Sequence, residues 1–344
     1  MAIKALIIGL GSAGQRHVRN LKRILGDDVI LIAYRVSGRK LLLDDSLQAV
    51  CGKDIVQEYN IEEFWDFDDA LSQKPDIAIV ANPSSMHVYY SIKLAESGVD
   101  FLVEKPVATS LEDIDTLLNA VRSNRVTAMV GYQMRWHPCI QRLCRELDSE
   151  RIGDIIGADW NMGEDLKRVH PYQDYHDMVE AHDDKGGGVI MVQTHEMDIL
   201  CHIFGQPLCV SSIGGHFSDM DIDVEDNVTS LCMFRYKDKN IPVVLHQDMI
   251  QDPPVRKYTV MGTEGTIECD VLNHQIFLTC GEKKEVQTYG GFDRNMMFIE
   301  EMKYFLNVRS GKERNVLTIE EGLKSLRMAL AIKESMVRNE KVVI

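Results

Sequence analysis

A short apolar strand, Ala5-Leu6-Ile7-Ile8, runs into Gly9-Leu10-Gly11-Ser12-Ala13-Gly14 and then into a helical pattern with Val18, Leu21 and Leu25 on one side. A strand with no polar alternation reads as buried on both faces, which is how strands of a parallel sheet look. In Gly-x-Gly-x-x-Gly the first glycine permits a tight turn and the second lets backbone approach a pyrophosphate. The third lets helix pack on strand, and the helix start offers N–H groups and a positive dipole to phosphates. The same spacing also makes a plain strand–helix turn. The flanking strand and helix favour the dinucleotide reading.

Further strands and helices alternate as a doubly wound sheet requires. Val29–Tyr34, Asp76–Val80, Phe101–Val103 and Val126–Val130 read as strands. A helix from about Met86 stops at Gly98, and Ser110 reads as the cap of another, with Asp113 close to a capping box. Beyond about residue 125 strands follow one another directly: Ile156–Asn161, Leu208–His216, Val228–Tyr236, Ile241–Gln247 and Lys257–Met261, with Lys237-Asp238-Lys239-Asn240 as a hairpin loop. Helices are expected after Gly188, near Asn295–Val308 and over Ile319–Asn339. The expectation is therefore α/β: a Rossmann-type parallel sheet over residues 1–124, then a mostly antiparallel α/β domain over 125–344.

The length of 344 residues accommodates two cores. Lys+Arg 38 against Asp+Glu 53 gives a net charge of −15, which speaks against nucleic acid or an anionic membrane as the main partner. Eight cysteines lie scattered without a CxxC pair and read as reduced, small hydrophobes. No apolar run is long enough to cross a bilayer, and the reading is a cytoplasmic protein.

The position about twenty residues past the glycine turn reports which dinucleotide binds, an acid there accepting a ribose 2′-hydroxyl. Here stand Tyr34, Arg35, Ser37, Arg39 and Lys40. Cationic donors without a carboxylate suit a 2′-phosphate, so NADP is expected ahead of NAD, although a solvated loop carries such residues too. Lys105, in Glu104-Lys105-Pro106, ends a parallel strand where open α/β sheets hold their ligands, and could donate to a substrate oxygen. A surface lysine paired with Glu104 is the alternative.

A second constellation is Gly186-Gly187-Gly188 followed by a helix with His195 two turns in. It suggests backbone close to a ligand and an imidazole fit for proton exchange. A core histidine is the competing account. His195 and His202 lie seven apart, but the HExxH spacing is missing and no metal is expected. Gln133 through Pro138 and Val169 through His176 are rich in planar donors and aromatic faces, as a sugar-binding lining or loop filler would be.

Together these residues resemble the glucose–fructose oxidoreductase, inositol dehydrogenase and rhizopine-catabolism family (Gfo/Idh/MocA). The resemblance runs through the glycine turn, Ala81-Asn82-Pro83 with His87, Glu104-Lys105-Pro106, Gly131 through Pro138, the glycine triplet with His195 and Asp198, and Gly262 through Ile267. It implies a Rossmann domain, a second α/β domain with a large open sheet, and NAD(P)-linked hydride transfer at a secondary alcohol of a sugar, sugar derivative or cyclitol. It implies that Lys105 lies beside the nicotinamide and that His195 is the acid/base. Asn82, Pro83, His87 and Glu104 would touch the cofactor. Gln133, Arg135, Tyr172, Asp174 and Tyr175 would line the substrate cleft, and a homodimer or homotetramer is expected.

The chain departs from the family at Met191 and Val192, where many members carry an aspartate completing a Lys–Asp–His set. Either His195 works without it or a group from the Asp174–Asp177 loop orients the ring. A non-catalytic dinucleotide sensor and an NAD-dependent glycoside-cleaving enzyme remain the rival readings of the same fold.

Overall fold

Strand β1 (Ile3–Ile8) lies at the centre of a six-stranded sheet in the computed structural model, which describes residues 2–344. On one side it pairs in parallel with β2 (Val29–Tyr34), which in turn pairs with β3 (Glu62–Phe64). On the other side follow β4 (Ile77–Val80), β5 (Asp100–Glu104) and β6 (Ala128–Gly131), all parallel. The order β3-β2-β1-β4-β5-β6 is that of a dinucleotide-binding Rossmann sheet, with its switch point between β1 and β4. Residues 5–8 of β1 and all four of β4 are buried, as the absence of alternation implied.

Helix α1 (Ser12–Leu25) leaves the glycine turn and buries Val18 and Leu21 completely, each contributing about 1.5–3 kcal/mol relative to exposure. Its other buried positions are polar apart from Gly14. Asn20 and Asn295 exchange amide hydrogen bonds (2.9 and 3.3 Å), and Arg16 donates to Asn295 (3.2 Å) and lies over the Phe298 ring. Those partners belong to helix Asn295–Arg309, far along the chain. The edge of β6 is likewise finished late in the sequence: Val130 N–H donates to the Leu317 carbonyl (2.9 Å), and the Asn315 amide to the Ala128 carbonyl (2.8 Å).

The chain accordingly forms two compact units that are not contiguous in sequence. One comprises the chain through Tyr132 with Asn295–Gly322, the other Gln133–Arg294 with Leu323–Ile344. The boundary expected at 124/125 falls inside the first unit, ahead of β6. The expected Ser110 cap is also displaced. The helix begins at Ile114, after Asp113 in the left-handed region (φ 57°), and the Ser110 hydroxyl instead accepts from Glu112 N–H (3.2 Å).

The second unit is built on nine strands in one sheet. Its central pair is parallel, β7 (Ile155–Gly163) with Lys239–Asp248, and every other pairing is antiparallel. The two-residue turn Lys237-Asp238 joins Asn227–Tyr236 to Lys239–Asp248, with Lys237 at φ 51°. Alternation is clean: Val228, Ser230, Cys232 and Phe234 point inward, while Thr229, Leu231 and Arg235 point out. The inner face buries Trp160, stacked on Tyr258 at 4.5 Å, with Phe204 and Phe234. On the outer face Ile213 and Leu231 are exposed. No helix among the described residues is long and apolar enough to cross a membrane.

Candidate functional site

The glycine turn shows three different steric demands. Gly9 sits at φ +92°, and a Cβ there would lie 2.9 Å from the Ala81 carbonyl oxygen at the end of β4. Gly14 admits no Cβ either, since it would fall 2.0 Å from the Gly9 carbonyl oxygen, where helix meets strand. Gly11 is the opposite case: a Cβ would meet nothing within 4 Å and would project into open space. Gly11 also begins α1 with no side-chain cap, and the first turn holds no acid. Its leading N–H groups therefore face outward with the positive end of the helix dipole, at the spot a pyrophosphate requires.

The rest of the crevice has matching features. The Asn82 side-chain oxygen is buried and has no hydrogen-bond partner among the described residues. A buried acceptor of that kind fits a ligand donor. Gln15, on the first turn of α1, fixes the neighbouring loop through Leu10 O (3.2 Å), Leu41 O (2.8 Å) and Leu43 N (2.9 Å). Gly9 N–H donates to the Tyr34 carbonyl (3.2 Å), binding the turn to the end of β2. These residues fit a dinucleotide.

His87 was expected to touch the cofactor. It is buried, and its ring nitrogens lie against the carbonyls of Pro106 (2.8 Å) and Asn82 (2.9 Å). It is a strut joining the loops that follow β4 and β5. Burial holds its pKa below the usual histidine value, against the pull of those two carbonyls. Glu104 points to His17, which the sequence did not single out: His17 Nε2 lies 2.6 Å from Glu104 Oε1, and Glu104 Oε2 accepts from Lys105 N–H (3.3 Å). Burial by itself would raise the Glu104 carboxyl, but the His17 hydrogen bond and the charges of His17 and Lys105 hold it below the usual range. The half-buried Lys105 is thus fixed at its backbone by the carboxylate before it.

At the end of β2 the arrangement differs from expectation. Arg35 is buried, not offered to solvent. One guanidinium nitrogen pairs with Glu63, another donates to the Arg39 carbonyl, and the Trp65 ring lies 5.9 Å from its carbon. Tyr34 packs on Phe67 and Tyr90, its hydroxyl 3.2 Å from that of Tyr90. Ser37 and Arg39 are exposed, and Lys40 pairs with Asp54 at 3.5 Å.

In the second unit, the helix expected after Gly188 is two pieces, Val189–Val192 and Thr194–Phe204, broken at Gln193. His195 is therefore in the first turn of the second piece. The glycines before it make room for protein rather than ligand. A Cβ on Gly187 would lie 2.5 Å from the Val179 carbonyl oxygen, and one on Gly188 (φ +91°) 2.4 Å from Glu225. The Glu225 carboxylate accepts from Ile190 N–H (3.2 Å).

His195 is 8% exposed, and its Nε2 lies 3.0 Å from the Gln133 side-chain nitrogen. Arg135, expected in the substrate cleft, instead grips Asp198 with two bonds (2.9 and 2.7 Å), both side chains largely buried. Neighbouring Glu196 pairs with Arg256, whose Nε donates to the Tyr258 hydroxyl (2.9 Å). The Asp174–Asp177 loop spends its groups nearby. Asp174 accepts from His176 N–H (3.0 Å) and lies 2.5 Å from that ring, and the Tyr175 hydroxyl accepts from Asp221 N–H (3.3 Å). Tyr172 packs beside His170 at 5.4 Å.

Comparison with known proteins agrees with this geometry. The Gfo/Idh/MocA oxidoreductase family model with NAD-binding Rossmann fold matches residues 3–132, and the Gfo/Idh/MocA C-terminal domain matches residues 140–268. The chain is similar to a myo-inositol 2-dehydrogenase of Thermotoga maritima, 24% identical over 98% of this chain and 97% of that one. It is also similar to the scyllo-inositol 2-dehydrogenase (NAD(+)) of Bacillus subtilis, 24% identical over 79% of this chain and 75% of that one. The structure of a levoglucosan dehydrogenase in complex with NADH shares the fold, with a TM-score of 0.83, 14% identity, and coverage of 100% of this chain and 99% of that one. The chain belongs to the Gfo/Idh/MocA oxidoreductases and carries their NAD-binding Rossmann fold.

Proposed function

We propose that this oxidoreductase transfers hydride between a nicotinamide and a secondary alcohol or ketone of a sugar, sugar derivative or cyclitol. The observation that carries the reading is the open cradle over Gly11 at an uncapped helix start. The inositol dehydrogenases among its relatives support the substrate class.

When bound, the dinucleotide supplies the hydride acceptor or donor. His195 is the residue we assign to take the hydroxyl proton in the oxidative direction, and Lys105 the one whose ammonium stabilises charge as it develops on a substrate oxygen. The Gln133 side-chain nitrogen donates to His195 Nε2 and fixes the ring, a role opposite in polarity to a carboxylate's. Asn82, Pro83 and Glu104 belong to the cofactor side. Gln133, Tyr172 and Tyr175 belong to the substrate side.

The NADP reading depended on Arg35, Ser37, Arg39 and Lys40, and it loses Arg35 to Glu63. NAD is therefore the dinucleotide we assign. We place the protein in the cytoplasm on the strength of its cysteines, which are all free thiols. A homodimer or homotetramer fits the exposed apolar residues on the outer face of the second sheet.

The test is a panel of inositols, hexoses, anhydrosugars and sugar nucleotides, followed by the absorbance of reduced nicotinamide. Lys105→Ala should lower kcat by about a hundredfold or more while NADH affinity stays within a few-fold. Turnover surviving within a few-fold would remove Lys105 from the chemistry. Tight NADH binding with no turnover across the panel would favour the sensor reading.

A further inference from the structure

The position that reads the ribose 2′ group lies at the carboxyl end of β2, and the charged side chains that immediately follow it in sequence are all cationic. The carboxylate comes from the adjacent strand. Ala33 is paired with Glu63 and Tyr34 with Phe64, and Arg35 N–H continues the ladder to the Phe64 carbonyl (3.0 Å). This register brings Glu63 to the Arg35 guanidinium, which also closes the following loop through the Arg39 carbonyl and lies under Trp65. The Arg35 side chain is 3% exposed and that of Glu63 18%, so the partly open member of the pair is the carboxylate.

We propose that Glu63 is the specificity-determining residue for the ribose 2′ position. It neutralises Arg35 and presents a carboxylate beside the end of β2, favouring a 2′-hydroxyl over a 2′-phosphate. A 2′-phosphate gains little from a guanidinium already paired in a partly buried site, and it meets a like charge in Glu63. A 2′-hydroxyl finds an acceptor of the kind an acid at the end of β2 normally supplies. The inference rests on the reading that the glycine turn holds a dinucleotide.

The experiment measures NADH and NADPH affinities by nicotinamide fluorescence on the full chain, with thermal melting to verify folding. Wild type should bind NADH at least about tenfold tighter than NADPH. Glu63→Gln keeps the shape and removes the charge. It should tighten NADPH binding by about tenfold or more and change NADH binding by less than about threefold. If the glutamine variant folds poorly, Glu63→Ser should shift the NADPH-to-NADH affinity ratio in the same direction, with some loss of NADH affinity. Adding Arg35→Met to either variant should abolish the gain.

A NADPH-to-NADH ratio unchanged in a folded Glu63 variant that still binds NADH would overturn the assignment. So would a gain that persists without Arg35, or a wild type that prefers NADPH. Wild-type protein binding neither dinucleotide would instead overturn the reading of the glycine turn beneath it.

Discussion

Replacing Gly11 by alanine separates binding from folding. Gly11 has φ −72° and ψ −167°, a conformation any L-residue adopts, and its Cβ would touch nothing within 4 Å. The change should leave the fold intact and, by restricting the unfolded chain, stabilise it by about 0.4–1 kcal/mol. For a chain of 344 residues that is a melting-point rise of about 0.5–1.5 °C. The added methyl nevertheless occupies the space through which backbone reaches a pyrophosphate. NADH affinity should fall by about tenfold or more, or at least 1.4 kcal/mol. Gly14→Ala is the counterpart, because its Cβ would lie 2.0 Å from the Gly9 carbonyl oxygen, a backbone atom that cannot turn aside. It should lower stability by about 1–3 kcal/mol or more. Urea unfolding and NADH fluorescence titration on both variants decide the matter. A Gly11→Ala protein that binds NADH like wild type would refute the cradle, and one that melts well below wild type would refute the steric account.

Gln133→Leu removes a hydrogen bond to the buried His195 ring, a loss worth about 1–3 kcal/mol, so kcat should drop by about tenfold or more while NADH affinity holds. Steady-state kinetics beside cofactor titration checks this. Asp198→Ala removes the carboxylate that grips the largely buried Arg135 and should destabilise the second unit by about 3–5 kcal/mol, read from urea unfolding, whereas the double variant Arg135→Met/Asp198→Met should recover most of that loss. His87 has its folded pKa below the unfolded value of about 6.5, so the unfolded chain binds more protons in the window beneath it. Its contribution to stability is full above that pH and declines as pH falls, and the difference between wild type and His87→Gln should shrink from about pH 7.5 to about pH 5.5.

The sequence exposed what depends on one residue's own sterics and hid what depends on pairs brought together by the fold. Gly9 and Gly14 were readable because each excludes a side chain for a local reason, Gly11 because it keeps the space over the turn open, and the buried strand ahead of Lys105 because it lacks polar alternation. Arg35 carried no sign of its partner, since Glu63 lies 28 residues on and meets it only through the register of β2 with β3. Arg135, expected in the substrate cleft, gave no sign of Asp198, which is 63 positions away. The glycine triplet read as backbone close to a ligand, whereas the atoms crowding Gly187 and Gly188 include Val179 O, Glu180 O and Glu225. Ser110 satisfied a capping pattern one turn ahead of where Asp113 begins the helix.

The return of residues 295–322 to the first unit bears on how the chain matures. As synthesis proceeds from the N-terminus, the hydrogen-bonding edge at Ala128–Gly131 leaves the ribosome long before Asn315 and Leu317 exist to cover it. Until then that edge is an open template for another strand. A fragment ending near residue 132 would keep this exposure permanently and would lack Asn295 opposite Asn20, so it should aggregate where the 344-residue chain does not.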